Sequence, residues 1–309
     1  MPRTGMANLE WERYQARWSR GLAVRIQGLA SYAMRLCANV AVLGLSITSI
    51  LGAQAVNETT DVLLSPDVQR YRAAVHLGSK GDLRRAKDEL DTVLRVDPTH
   101  ASAKLRLRTL DDVAYGVIGS MTAVHLFRAA ENSLDGRHAA ALAEIDSGIA
   151  LSPRYDEAFR LRGRTRIALH QFQPAIQDYS RAISLNPRNS AAFLNRGVAF
   201  LHIGDFDGAL NDFNSALELE PLNADLYANR GTVYVNQARF PEALADFQRG
   251  IDLDPAAAPA YANKAFLYEN LGRWDEALET HKALVRHARP GYPEIIEHAK
   301  RRIRDLEQH

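Results

Sequence analysis

Tyr227 to Pro255 reads YANRGTVYVNQARFPEALADFQRGIDLDP, two short apolar-periodic stretches parted by a polar turn and closed by a proline. Each stretch is about the length of a short amphipathic helix, and neither has enough apolar surface to be stable alone. The pattern recurs outward from this segment. Prolines stand at 153, 187, 221 and 255, each 34 residues from the next, which fixes units 122–155, 156–189, 190–223, 224–257 and 258–291. The eighth position of these units is Ala129, Gly163, Gly197, Gly231 and Ala265, and the twentieth is Ala141, Ala175, Ala209, Ala243 and Ala277. Large rings keep equally constant phase: Phe159, Phe193, Tyr227 and Tyr261 at the fourth position, Phe172, Phe206, Phe240 and Trp274 at the seventeenth. Two helices approach closely only where both side chains are small, and rings fill the wedges left beside the contact.

The period, the small residues at eight and twenty, the aromatic positions and the terminal proline together resemble the tetratricopeptide repeat family. That resemblance implies an all-α, right-handed α-solenoid of helix-turn-helix units, in which each unit packs only on its neighbours. A more degenerate unit spans 67–100, with Ala74, Gly81, Ala86 and Pro98 at the small, turn and proline positions. Residues 101–121 interrupt the array: ASAKLRLRTLDDVAY reads as an unpaired helix and GVIGSM as a loop. Extra packing is the simpler role for that helix, and a functional lid the alternative. In the tail, 292–309, Ile295, Ile296, Ala299, Ile303 and Leu306 share one face, as expected of a C-terminal capping helix that covers the last unit.

In this family the first helix of each unit lines a concave groove. The sixth position carries Asn195, Asn229 and Asn263, a ladder of carboxamides suited to the backbone of an extended peptide. Arg160 and Arg164, at positions five and nine of one unit, are candidates for a ligand carboxylate, and Asn236, Glu269 and Asn270 make the far end of the groove polar. The seventh position is Arg128, Arg162, Arg196 and Arg230, then Lys264; sixteen residues on stand Glu144, Asp178, Asp212 and Asp246, then Thr280. The acid disappears in the unit where arginine becomes lysine. We therefore expect structural ion pairs Arg162–Asp178, Arg196–Asp212 and Arg230–Asp246, in a forked geometry that lysine does not reproduce.

Residues 1–56 carry six arginines against two glutamates, and Leu36 to Asn57 contains no formal charge. This reads either as a signal peptide, with Ala53-Gln54-Ala55 before a cut ahead of Val56, or as an uncleaved transmembrane helix. Translation from Met1 or from Met34 is open. Both routes place the repeats outside the cytoplasm, in the periplasm or tethered to the membrane, with 57–66 as a linker. The remaining chain carries 32 basic against 35 acidic residues, and neither a nucleic-acid footprint nor an aromatic stacking platform is present in the sequence. The single cysteine, Cys37, gives no disulfide framework. Metalloprotease, hydrolase and phosphate-loop motifs do not occur, the ten histidines lack ligand spacing, and His281 sits at a core position. The expectation is a non-catalytic, cofactor-free and metal-free monomeric adaptor that holds a peptide or partner protein in its groove. The alternative is an assembly factor for a membrane complex that uses its convex face or N-terminal segment.

Overall fold

The computed structural model describes residues 66–98, 100–289 and 292–308; the expectations for the export or anchor segment lie outside them. Fourteen helices, and no strand, occur among the described residues. They are α1 Pro66–Ser79, α2 Leu83–Val96, α3 Ala101–Ala114, α4 Ser120–Leu134, α5 His138–Leu151, α6 Asp156–Ala168, α7 Phe172–Leu185, α8 Ser190–Ile203, α9 Phe206–Leu219, α10 Ala224–Asn236, α11 Phe240–Leu253, α12 Ala258–Asn270, α13 Trp274–His287 and α14 Pro293–Leu306. Among these helices none is long and apolar enough to cross a membrane.

Each unit is a helical hairpin whose turn passes through the left-handed region at position fifteen. Gly81, Gly136, Gly204 and Gly272 hold φ between 69° and 90° there, and His170 and Ala238 hold 57°. Only glycine adopts that conformation without steric cost, so two of the six turns are strained. Within a hairpin, ring against glycine sets the helix separation. A Cβ added to Gly197 would lie 2.7 Å from the Phe213 ring, and the same distance separates one on Gly163 from Tyr179 and one on Gly231 from Phe247. These three rings are essentially inaccessible to solvent.

Arginine at position seven joins hairpins as well as closing them. Arg196 donates through Nε and Nη2 to the two oxygens of Asp212, both at 2.8 Å, and through Nη1 to the Ser180 hydroxyl of the preceding unit at 2.9 Å. Arg230 repeats this with Asp246 at 2.8 and 2.9 Å and with the Asn214 carboxamide oxygen at 2.8 Å. Arg162 holds Asp178 at 2.7 Å and reaches Asp146 of the unit before it, also at 2.7 Å. Lys264 keeps only the backward contact, to Gln248. Position twenty-five is thus an acceptor throughout, as Asp146, Ser180, Asn214 and Gln248, and one guanidinium bridges three helices. Asp178, Asp212 and Asp246 are buried, so each carboxylate needs that fork to offset its desolvation.

The N-terminal end departs from this scheme. α1 packs on α4, two helices beyond its own partner α2, and the Phe127 ring of α4 lies where a Cβ on Gly78 would sit at 2.2 Å. Arg128 therefore does not form the pair with Glu144 that its column suggested. Its Nε caps the end of α1 by donating to the Ser79 carbonyl at 3.1 Å, and Glu144 pairs with His125 at 2.7 Å. Helix α3 occupies Ala101–Ala114 of the interruption, but Ser120 and Met121 belong to α4 rather than to a loop. Leu105 and Val113 of α3, with Leu83 of α2, lie against a core of Ala123, Leu126, Ala158 and Leu161. At the other end α14 packs on α13 and α12, with Ile295 and Ala299 buried.

Candidate peptide-binding groove

From α6 onward, first helices of successive units touch each other as well as the preceding second helix. The side of α6, α8, α10 and α12 opposite their hairpin partners forms a continuous face. The family's groove positions on these helices hold Glu157, Arg160 and Arg164; Leu194, Asn195 and Val198; Ala228, Asn229 and Thr232; then Ala262, Asn263 and Phe266, of which Glu157, Arg160, Asn195, Val198 and Ala228 are buried.

At its N-terminal end this face runs into α3. Leu126 of α4, which occupies a groove position by sequence, is fully buried, and Arg106 of α3 lies against it with 1% of its surface exposed. Arg106 donates to the Leu126 carbonyl at 3.0 Å and stands over the Phe127 ring at 5.8 Å. The Tyr155 hydroxyl, at the start of α6, donates to Asp112 of α3 at 2.6 Å, fastening the two helices together. Burial, reinforced by that acceptor, pushes the phenol far above its ordinary pKa. The insertion therefore fills the groove of the unit at 122–155, and the open part begins at α6.

Glu157 and Arg160, one turn apart and both buried, form a forked pair, with Arg160 Nε donating to Glu157 at 2.8 Å. Burial alone would raise the Glu157 pKa; the field and hydrogen bonds of Arg160, with Arg106 and Arg108 behind, outweigh it and hold the carboxyl below its usual range. Arg160 is thereby committed to an intramolecular partner, which the sequence reading had not assigned it. Arg164, a turn further on, is different. Among the described residues nothing accepts a hydrogen bond from it; protein encloses its guanidinium while part of the side chain stays open to the groove. Burial first, then the like charges of Arg160 and Arg106, pull its pKa down to about 10.

The asparagines are not equivalent. Asn195 is 8% exposed, and among the described residues its carboxamide has no hydrogen-bond partner. Asn229 donates to the Asp225 carbonyl one turn back at 2.8 Å, as Asn236 does to Thr232 and Asn270 to Phe266. Each retains its carboxamide oxygen and a second N–H for another group. Asn263 reaches the Thr232 hydroxyl at 3.4 Å, linking two units across the face. Glu269, expected to serve a ligand, belongs to the cap instead: Arg302 of α14 grips it at 3.1 and 3.0 Å, and His281 Nε2 lies 2.9 Å away. His281 is buried as its core position suggested, and its Nδ1 has no partner among the described residues. No cluster of His, Cys, Asp or Glu able to hold a metal ion occurs among the described residues.

Residues 160–224, 224–256 and 247–279 each match a family model described as tetratricopeptide repeat. Residues 160–279 are tetratricopeptide repeats. A thermophilic TPR protein from Thermus thermophilus has the same fold, with 22% identity and a TM-score of 0.51 over 61% of this chain and all of that one. MamA residues 41 to the end from Desulfovibrio magneticus RS-1 are 18% identical over 55% of this chain and 96% of that one, at a TM-score of 0.49. The OM64 TPR domain of Arabidopsis is 29% identical over 38% of this chain and 96% of that one, at 0.37. No curated protein matches the chain. Tetratricopeptide repeats support an adaptor role in protein interaction. Column periodicity at positions eight and twenty made the repeats visible in the sequence; the commitment of Arg160 and Glu269 to internal partners left no such trace.

Proposed function

We propose that this protein is an adaptor outside the cytoplasm that holds an extended segment of a partner protein along α6, α8, α10 and α12. The observation that carries the reading is Asn195, a residue only 8% exposed whose carboxamide has no intramolecular hydrogen bond among the described residues. Its carbonyl oxygen and both N–H groups are free to pair with the backbone of an extended peptide. Asn229 and Asn263 extend the same row at 34-residue intervals, and Leu194, Val198 and Ala228 supply apolar contact between them. A rigid stack of hairpins loses little conformational freedom when occupied, so most of the ordering cost falls on the peptide. The location outside the cytoplasm is supported by the arginine-rich start and the uncharged run from Leu36 to Asn57.

Partner capture by the wild-type chain and by a triple Asn195→Ala, Asn229→Ala, Asn263→Ala variant tests the groove. Binding weakened at least tenfold with an unchanged melting curve is the expected result; full binding by the variant assigns recognition to another surface. Mass determination of the mature protein tests the location. A start at Val56 means cleavage, an intact chain in the membrane fraction means anchoring, and a full-length soluble cytoplasmic form contradicts both.

A further inference from the structure

Between α3 and α4, Ala114 to Met121 reads AYGVIGSM, eight residues without a charge, all exposed except Ile118. Tyr115, Val117 and Met121 are 83%, 62% and 56% exposed. The loop is nonetheless held in place. Ile118 is buried in the cluster against which Leu83 of α2 also packs, and the N–H groups of Tyr115, Gly116, Val117 and Ile118 all donate to carbonyls of α3, at 2.8 to 3.3 Å. Two neighbouring turns flank it. Leu83 and Gly81, where an added Cβ would lie 3.8 Å from Val124, bring the α1–α2 turn alongside, with Lys80 and Arg84 exposed. The hydroxyls of Thr122 and Ser152, hydrogen-bonded at 2.8 Å, bring up the turn after α5, where Leu151 is 55% exposed and Arg154 faces solvent. Four of the nine exposed large apolar side chains among the described residues thus gather at one end of α4. The acids there are engaged: Asp82 with Arg85 at 3.6 Å, Asp111 with Lys87 at 3.0 Å, and Asp112 with the Tyr155 hydroxyl. No salt bridge engages Lys80, Arg84 or Arg154 among the described residues.

We propose that this end of the repeat body docks on an anionic lipid surface: Tyr115, Val117 and Met121 enter the interfacial layer while Lys80, Arg84 and Arg154 lie on the headgroups. A tyrosine beside apolar side chains suits the boundary between hydrocarbon and water, and uncommitted cations around them are drawn to its negative potential. Because its N–H groups are already paired, the loop can leave water without orphaning a donor. The same paired backbone gives a peptide strand nothing to join, and a Cβ added to Gly116 or Gly119 would meet nothing within 4 Å, so the loop is a projecting tip rather than a recess. That geometry favours a lipid layer over a protein segment. Chain length is compatible with it. The uncharged run ends at Asn57 and eight residues separate it from α1. Eight extended residues reach about 26–29 Å, and α1, which runs toward this end, is about 21 Å long, so a chain anchored by that run can set the loop on the same membrane. None of the groove residues takes part.

The test attaches a nitrobenzoxadiazole fluorophore to the full chain in a Cys37→Ser background, at Val117→Cys or, as a control, at Gln171→Cys in the turn at the opposite end of the hairpins. Each protein is mixed with vesicles of phosphatidylcholine, alone or with a third phosphatidylglycerol, with and without a spin-labelled acyl chain. At position 117 the emission should shift to the blue and be quenched by the spin label on phosphatidylglycerol vesicles, while position 171 stays in water. The fluorophore reports its own surroundings, so attachment of the chain through residues 36–57 does not by itself give the signal. Lys80→Gln, Arg84→Gln and Arg154→Gln together should reduce insertion about tenfold or more. Tyr115→Ser with Met121→Ser should do the same with an unchanged melting curve, since both side chains are exposed. A fluorophore at 117 that stays in water on phosphatidylglycerol vesicles overturns the lipid assignment and leaves the patch to a protein surface. Equal quenching at 117 and 171, or insertion that the triple glutamine variant leaves intact, overturns it as well.

Discussion

Replacing Arg164 by methionine should make the protein more stable. The substitution keeps an unbranched stem of similar packing and removes a charge that has no acceptor among the described residues. The cost of that charge follows from the drop in its pKa to about 10, well below the ordinary guanidinium range, caused by burial and then by Arg160 and Arg106. At about 1.4 kcal/mol per unit this amounts to on the order of 3 kcal/mol, and partial access to solvent trims it to roughly 2 kcal/mol. The sign is fixed by proton binding. From about pH 10 up to the ordinary guanidinium range the unfolded chain holds more protons than the folded one, so the penalty eases only as pH rises through that window and is constant below it. Urea unfolding followed by far-UV circular dichroism should therefore show a gain of roughly 2 kcal/mol for Arg164→Met at pH 6 and pH 8 alike, or ~4–8 °C in Tm. Arg164→Lys, which keeps the charge, should gain little. A loss of stability in Arg164→Met would mean that the guanidinium has a stabilising partner, and the argument from an uncompensated cation would fall.

Three further outcomes follow from the rest of the structure. A double-mutant cycle on Arg196→Met and Asp212→Asn should give a coupling of about 1–3 kcal/mol, because the forked pair is buried on the acid side; additive effects would refute the pairing. Ala238→Gly, which relieves a left-handed φ of 57°, should stabilise by about 0.5–1 kcal/mol in thermal unfolding, whereas His170→Gly should gain less because its ring contacts Phe172 edge-on at 5.9 Å. Burial would raise the Glu269 pKa, but hydrogen bonds from His281 and Arg302 hold it low, so its contribution is complete above the ordinary value of 4.5 and is lost as pH falls below it. The protection factors of α14 amides, measured against intrinsic exchange at the same pH, should fall on acidification below pH 4.5, and Glu269→Gln should already show low protection there at pH 7.

The repeat was legible because packing restricts residue size at fixed positions, and size shows directly in the letters. The Arg196–Asp212 spacing was legible for a similar reason, since a fork needs one cation type and one anion type. The backward contacts were hidden: Asp146, Ser180, Asn214 and Gln248 share only the ability to accept a hydrogen bond, so the column looks random by residue type. The turn at position fifteen shows where glycine marks it, but not at His170 and Ala238, where the hairpin imposes the left-handed backbone on side chains that resist it. The groove was legible as a list and not as chemistry. Arg160 and Glu269 were expected to face a ligand, yet each lies beside an internal partner supplied by another turn or by the cap. Helix α3 was visible as a helix; its place against α4 was not, because nothing in the letters marks Arg106 for burial, and it is 1% exposed.

The central claim is that partner binding occurs on the first helices of the units beyond α3. Amide hydrogen exchange of the whole chain, free and saturated with a peptide selected on it from a synthetic library, tests it most directly. Exchange should slow in α6, α8 and α10 around Arg164, Asn195 and Asn229, and stay unchanged in α7, α9 and α11 on the opposite side. Protection confined to those second helices, or to α1 and α2, would contradict the account.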